Sequence, residues 1–206
     1  MAFVELSTDT VDGAIAADRL GADRVELCAA GALGGLTPGP GLLAATLARC
    51  TRAGVHVLIR PRDGGFRYAP AEVDAMLADV RHAVAAGAAG VVVGALTAAG
   101  EVDRVVVGEL VAAAGGREVT FHRAIDVCAD PLAALEVLAE LGVRRVLSSG
   151  QAATAVEGAP LLARMTELAG ERVTVMACGG IRPNKCRRRP WTSACTRPST
   201  STRRKS

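Results

Sequence analysis

Seven short runs rich in Val, Leu and Ile recur along this chain, and longer Ala- and Leu-rich stretches with helical spacing separate them. Alternation of this kind marks βα units feeding a parallel sheet. Strands are read at 3–6, 24–28, 55–60, 90–94, 119–122, 144–148 and 173–176, with helices near 10–20, 40–53, 70–86, 102–114, 130–141 and 159–169. Strands such as GVVVGA are apolar on both faces, as strands covered on both sides must be. The stretch ADPLAALEVLAELG puts Asp130 at an N-cap, Pro131 at the first helical position and Gly142 just past the helix end. Seven such strands predict a TIM-type (β/α) barrel of eight, with an open doubly wound sheet as the alternative.

The eighth unit is not visible in the pattern. After VMACGGIRPN the composition changes to KCRRRPWTSACTRPSTSTRRKS, which has neither period and holds the only Trp. The expected organisation is a barrel domain over 1–184 and an irregular basic tail over 185–206, leaving the barrel apparently incomplete. A translated wrong frame or a foreign end would give such a composition. A basic tail for nucleic acid is the rival, but it lacks interleaved aromatics, and no nucleic-acid partner is expected. Eight of the 24 basic residues fall in these last 22 positions, which hold no acid, so the body before them is mildly acidic.

A length of 206 residues, half of them apolar, suits one domain with a real core. The N-terminus lacks a basic region followed by an apolar one, and no apolar run reaches the roughly 18 residues of a membrane span. A soluble, cytoplasmic protein is expected. The six cysteines are scattered over the chain, which favours reduced thiols over a disulfide framework.

Catalytic groups of parallel barrels lie at the C-terminal ends of strands, and alternate residues share a face. Glu5 with Ser7, Glu26 with Cys28, Arg60, and Thr120 with His122 are therefore expected to converge at the barrel mouth. In VTFHRAID, Arg123 faces away from His122, and a salt bridge with Asp126 is its expected role. Bland readings stand beside these. Arg60 with Glu26 or Glu5 would make a buried charge layer, His122 a hydrogen-bonded core residue, and Cys28 a small apolar filler. The loops LGGLTPG at 33–39 and RPRDGGFRY, which carries Arg62, are placed to close over an anionic ligand. Gly179 and Gly180 in GGIRP offer backbone N–H groups to a phosphate. Lysine occurs only at 185 and 205, which excludes Schiff-base and pyridoxal-phosphate chemistry from the barrel. No dinucleotide, P-loop or conventional zinc motif is present.

Taken in order, ELSTDT, GADRVELC, GGLTP, IRPR with GGF and Tyr68, FHRAID, VLSSGQ and GGIRP closely resemble the CutC copper homeostasis family. The resemblance runs from residue 3 to about 184. It implies a TIM-type barrel, a cytoplasmic homo-oligomer and an association with copper, with Cu(I) binding attributed to some members. Members with a proposed Cu(I) site carry cysteine in both the first-strand motif and the ELC motif. Here the first position is Ser7, so Cys28 is the remaining metal ligand the resemblance implies. Two working functions stay open: Cu(I) binding through Cys28, or a metal-independent enzyme for a small anionic or carbonyl substrate. In the second, Arg60 with Arg62 anchors the anion, and Glu26 or Asp126 exchanges protons with His122. A third possibility is a scaffold or defective product whose barrel does not close.

Overall fold

The computed structural model describes residues 3–181 and the strand 193–196. The expected alternation is found. In chain order the elements are β1 (Phe3–Thr8), α1 (Val11–Arg19), β2 (Arg24–Leu27), α2 (Pro40–Leu47), β3 (Gly54–Leu58), α3 (Pro70–Ala85), β4 (Gly90–Val93) and α4 (Arg104–Ala113). There follow β5 (Glu118–Phe121), α5 (Pro131–Glu140), β6 (Arg145–Ser148), α6 (Ala159–Ala169), β7 (Thr174–Ala177) and β8 (Ser193–Thr196). Short 3-10 turns at Gly31–Leu33 and Arg123–Val127 sit in the loops after β2 and β5. The strands are all parallel and close in sequence order, the TIM-type arrangement.

The eighth position differs from expectation. Ser193–Thr196, inside the stretch read as an irregular tail, pairs with β1 over four positions and meets β7 at Ala177 and Ala194. Two open edges of unpaired N–H and C=O groups give even a four-residue segment somewhere to pair. So short a strand, flanked by Arg and Pro, has no period long enough to read. The rest of the expected tail, and the boundary at 184, lie outside the described residues.

Period-two alternation sorts each strand into two faces. Leu27, Val55, Val57, Val91, Val93, Val119, Phe121 and Val146 turn outward onto Met76, Val80, Leu110, Leu135, Leu138, Leu162 and Met165 of the helices. Inside the barrel, Leu58, Val92, Leu147 and Met176 pack with Cys28 and Cys178 into an apolar layer. Caps start the helices locally: Thr10 accepts from Gly13 N, Asp103 from Val106 N, and Asp130 from Leu132 N and Ala133 N. Helix α2 stops at Leu47 and does not run on to 53. The buried Asp18 carboxylate takes the backbone N–H groups of Thr51, Arg52 and Ala53 at 3.4, 2.9 and 2.7 Å, which holds that segment out of the helix.

A charge layer fills the N-terminal end of the barrel. Arg24 pairs with Glu5 and, at 2.8 Å, with Glu118, while Arg145 reaches Glu118 at 3.2 Å. Phe3 lies under both guanidinium groups, 5.6 Å from Arg24 and 5.1 Å from Arg145. Glu5 therefore belongs to this layer and not to the mouth. It stands level with Arg24, the first residue of β2, two positions below Ser7 and Glu26. The charge layer expected of Arg60 thus forms without Arg60.

Candidate functional site at the barrel mouth

Two residues beyond β3, the chain delivers Arg60 to the C-terminal end of the barrel. Its backbone N–H donates to Thr37 Oγ1 at 2.9 Å, and its carbonyl accepts from Thr37 N at 2.9 Å. Its side chain is only 8% exposed. Nη1 donates to the carbonyls of Leu33 and Gly35, both at 3.1 Å, and Nη2 to that of Gly64 at 2.9 Å. One guanidinium thus ties together the two loops singled out in the sequence. Gly34 and Gly35 make this approach possible, with φ of 92° and 96°. A Cβ on Gly34 would lie 3.1 Å from Nη1, and one on Gly35 only 2.7 Å from Leu58. Among the described residues no carboxylate comes within ion-pair distance of Arg60. Its Nε is buried without a partner.

His122 directly follows β5 and is 5% exposed. Its Nδ1 accepts from Ala124 N at 3.1 Å, which places the proton of the neutral ring on Nε2. That Nε2 is buried and unpartnered. Burial first, and the Arg60 charge second, push the imidazole down to about 3, so it is neutral over the ordinary pH range. Phe66 joins the two groups. Its ring lies 5.2 Å from the Arg60 guanidinium carbon and 4.8 Å from the centre of the His122 ring. Tyr68 completes the set: its buried Oη lies against the Arg60 guanidinium while its O–H has no acceptor, and burial raises its pKa against the pull of Arg60 and Arg62.

The remaining candidates divide. Cys28 faces the interior beside Gly35 and donates its thiol to Thr8 O at 3.5 Å. Glu26, 7% exposed, is on the same strand face two residues below, level with Ser7 and His56. Cys178 also lies in the interior layer, and burial pushes its thiol far up, away from thiolate. Arg62 is engaged with Glu72 and with the carbonyls of Asp63, Gly65 and Arg67, so it shapes its own loop. Asp126 is surrounded by donors: Ser148 Oγ at 2.6 Å, Ser149 N and Oγ at 3.0 Å, Gln151 N at 3.3 Å and Arg123 Nε at 2.7 Å. This knot joins the ends of β5 and β6, and it contains the Arg123–Asp126 salt bridge expected from the sequence. Gly179 and Gly180 follow β7 with φ of 92° and 68°, and a Cβ on Gly179 would lie 3.2 Å from Ser149 Cβ.

The family model described as the CutC family matches residues 2–189. The chain belongs to the CutC family. This CutC chain is 46% identical over 179 residues to a family protein CutC of Mesorhizobium japonicum, an alignment covering 87% of this chain and 69% of that one. It is 45% identical to the Copper homeostasis protein cutC homolog of Homo sapiens, over 87% of this chain and 65% of the human one. The solved structure of the copper homeostasis protein CutC from Streptococcus agalactiae matches with a TM-score of 0.88 at 28% identity, covering 95% of this chain and 98% of that one.

The sequence singled out Arg60 and His122 as candidates for this mouth, but not Tyr68, Phe66 or Thr37, which pack or bond with them. The available signal was the aromatic pair in GGFRY, close behind an arginine in a glycine loop. Nothing in local spacing says that such a loop folds back over the strand it leaves.

Proposed function

We propose that this chain acts in copper homeostasis, the role its human and streptococcal relatives carry in their names, and that the mouth of its barrel binds a small anion on Arg60. One observation carries the anion site: a buried guanidinium held by three carbonyls, with no carboxylate among the described residues to balance it. A buried cation without a counter-charge is costly, and a bound anion would supply that charge. In this reading Arg60 and His122 hold the ligand, and Glu26 is the buried carboxylate for proton exchange. Gly179 and Gly180 offer backbone to its far side. A cytoplasmic homo-oligomer goes with the family resemblance.

Copper coordination at Cys28 fits these residues poorly. Cu(I) takes soft thiolate or thioether ligands. The position on β1 that carries the second cysteine in copper-binding members is Ser7, whose buried hydroxyl is hard and unpartnered. Among the described residues no three His, Cys, Asp or Glu side chains gather as a metal site.

Native mass spectrometry of the purified protein, with calorimetric titration of small carboxylates and phosphate, tests the anion site. Arg60→Lys is expected to abolish binding while retaining the fold. No anion bound by the wild type, or equal binding by the variant, would end the reading. Cu(I) competition should give equal affinities for the wild type and Cys28→Ser; a large loss in the variant would restore a copper site at Cys28.

A further inference from the structure

We infer that the ligand of this mouth is a small monocarboxylate carrying a carbonyl or hydroxyl oxygen on the carbon next to the carboxylate, a 2-oxo or 2-hydroxy acid. The inference rests on reading Arg60 as an anion site and names what that site selects.

Three donors without partners gather around one guanidinium: Arg60 Nε, Tyr68 Oη and His122 Nε2. Buried polar atoms almost always find a partner, so three together mark a place built for an absent one. Charge fixes the first property of the ligand. His122 and Tyr68 are neutral, because burial disfavours the charged form of each. Arg62, which lies 5.2 Å over the Tyr68 ring, is already paired with Glu72. Arg60 is thus the one uncompensated cation of the set. A monoanion balances it, whereas a phosphate dianion would leave a buried negative charge.

Donor count fixes the second property. Both N–H groups of Arg60 Nη1 and one of Nη2 are held by Leu33, Gly35 and Gly64, which leaves Nε–H and one Nη2–H for a carboxylate. Beside them stand Tyr68 Oη–H and His122 Nε2–H, one donor on each of two further side chains. With the guanidinium edge on the carboxylate, these two neutral donors on separate side chains favour a neutral acceptor beside it. A carbonyl or hydroxyl on the adjacent carbon supplies it. Shape adds a third constraint. The Phe66 ring, set against both Arg60 and His122, gives a flat wall, and Leu58, Val92, Leu147 and Met176 make an apolar floor below the mouth. The ligand is short and flat at its polar end.

Calorimetry and thermal shift with pyruvate, lactate and inorganic phosphate, on the wild type, Tyr68→Phe and His122→Asn, test this. Pyruvate or lactate is expected to bind the wild type at least about tenfold more tightly than phosphate. Tyr68→Phe removes an unpartnered hydroxyl, so the unliganded melting temperature should hold or rise while 2-oxo acid affinity falls about tenfold. In His122→Asn, Oδ1 can still accept from Ala124 N, and the same loss of affinity is expected with the fold retained. Phosphate binding more tightly than both acids would overturn the inference and leave the anion site standing. Wild-type affinity in both variants would overturn it too. Failure of every anion to bind the wild type would instead defeat the reading of Arg60 itself.

Discussion

Two buried imidazoles govern how this molecule meets acid. His56 sits in the charge layer with an unpartnered Nδ1, and burial, then Arg24 and Arg145, push it down to about 2. His122 is pushed down to about 3. Unfolded, each titrates near about 6.5. Between those values the unfolded chain binds two protons that the folded chain refuses, so stability is lost as pH falls below about 6.5. Each imidazole contributes a slope of about 1.4 kcal/mol per pH unit. Urea unfolding between about pH 7 and about pH 5 should show this, with the slope near half as steep in His122→Asn; a flat profile for the wild type would contradict it. At this scale the sequence was partly legible. Arg60 and His122 declared themselves as polar residues at the ends of apolar strands. Glu5 was misplaced because β1 runs to Thr8, which sets its carboxylate at the opposite end of the barrel. Tyr68 and Phe66 were missed because their role depends on a loop that folds back over its own strand.

Elements were read best where their ends are chemically marked. Asp130 caps α5 with hydrogen bonds of 2.9 and 3.1 Å to two backbone N–H groups, so Asp130→Ala should cost about 1 kcal/mol in denaturant unfolding while Asp130→Ser keeps most of it. An unchanged midpoint in the alanine variant would contradict the cap. Gly94, just past β4, has a different duty: a methyl group there would run into the His122 ring. Gly94→Ala should destabilise by about 1–3 kcal/mol through overpacking and displace the imidazole. A variant as stable as the wild type would show that the two strands are set farther apart. Where an element ends on a distant partner, the sequence is silent. The segment after α2 is held out of the helix by Asp18, which lies 33 to 35 residues before the N–H groups it binds, and no local signal announces it.

As a whole, the molecule is a barrel whose last strand lies within a stretch that has no readable period. Seven strands and the parallel order were legible because buried βα units repeat their apolar runs and their glycines. Closure was not, since the pairing of Ser193–Thr196 with β1 and β7 is fixed by the edges those strands offer rather than by anything in the segment. Deleting residues 193–206 should therefore leave two unpaired edges, seen as association on gel filtration and a lower melting temperature. Unchanged elution and melting would contradict a closing role for β8. Among the described residues no helix is long and apolar enough to cross a membrane. We place the working end of the barrel at its C-terminal mouth, where Arg60 is proposed to meet a 2-oxo or 2-hydroxy acid. A crystal structure of the protein grown with pyruvate tests this most directly. Density for the acid within hydrogen-bonding distance of Arg60 Nε, Tyr68 Oη and His122 Nε2 is the predicted result. A mouth in which those three atoms stay unpartnered at saturating pyruvate would contradict it.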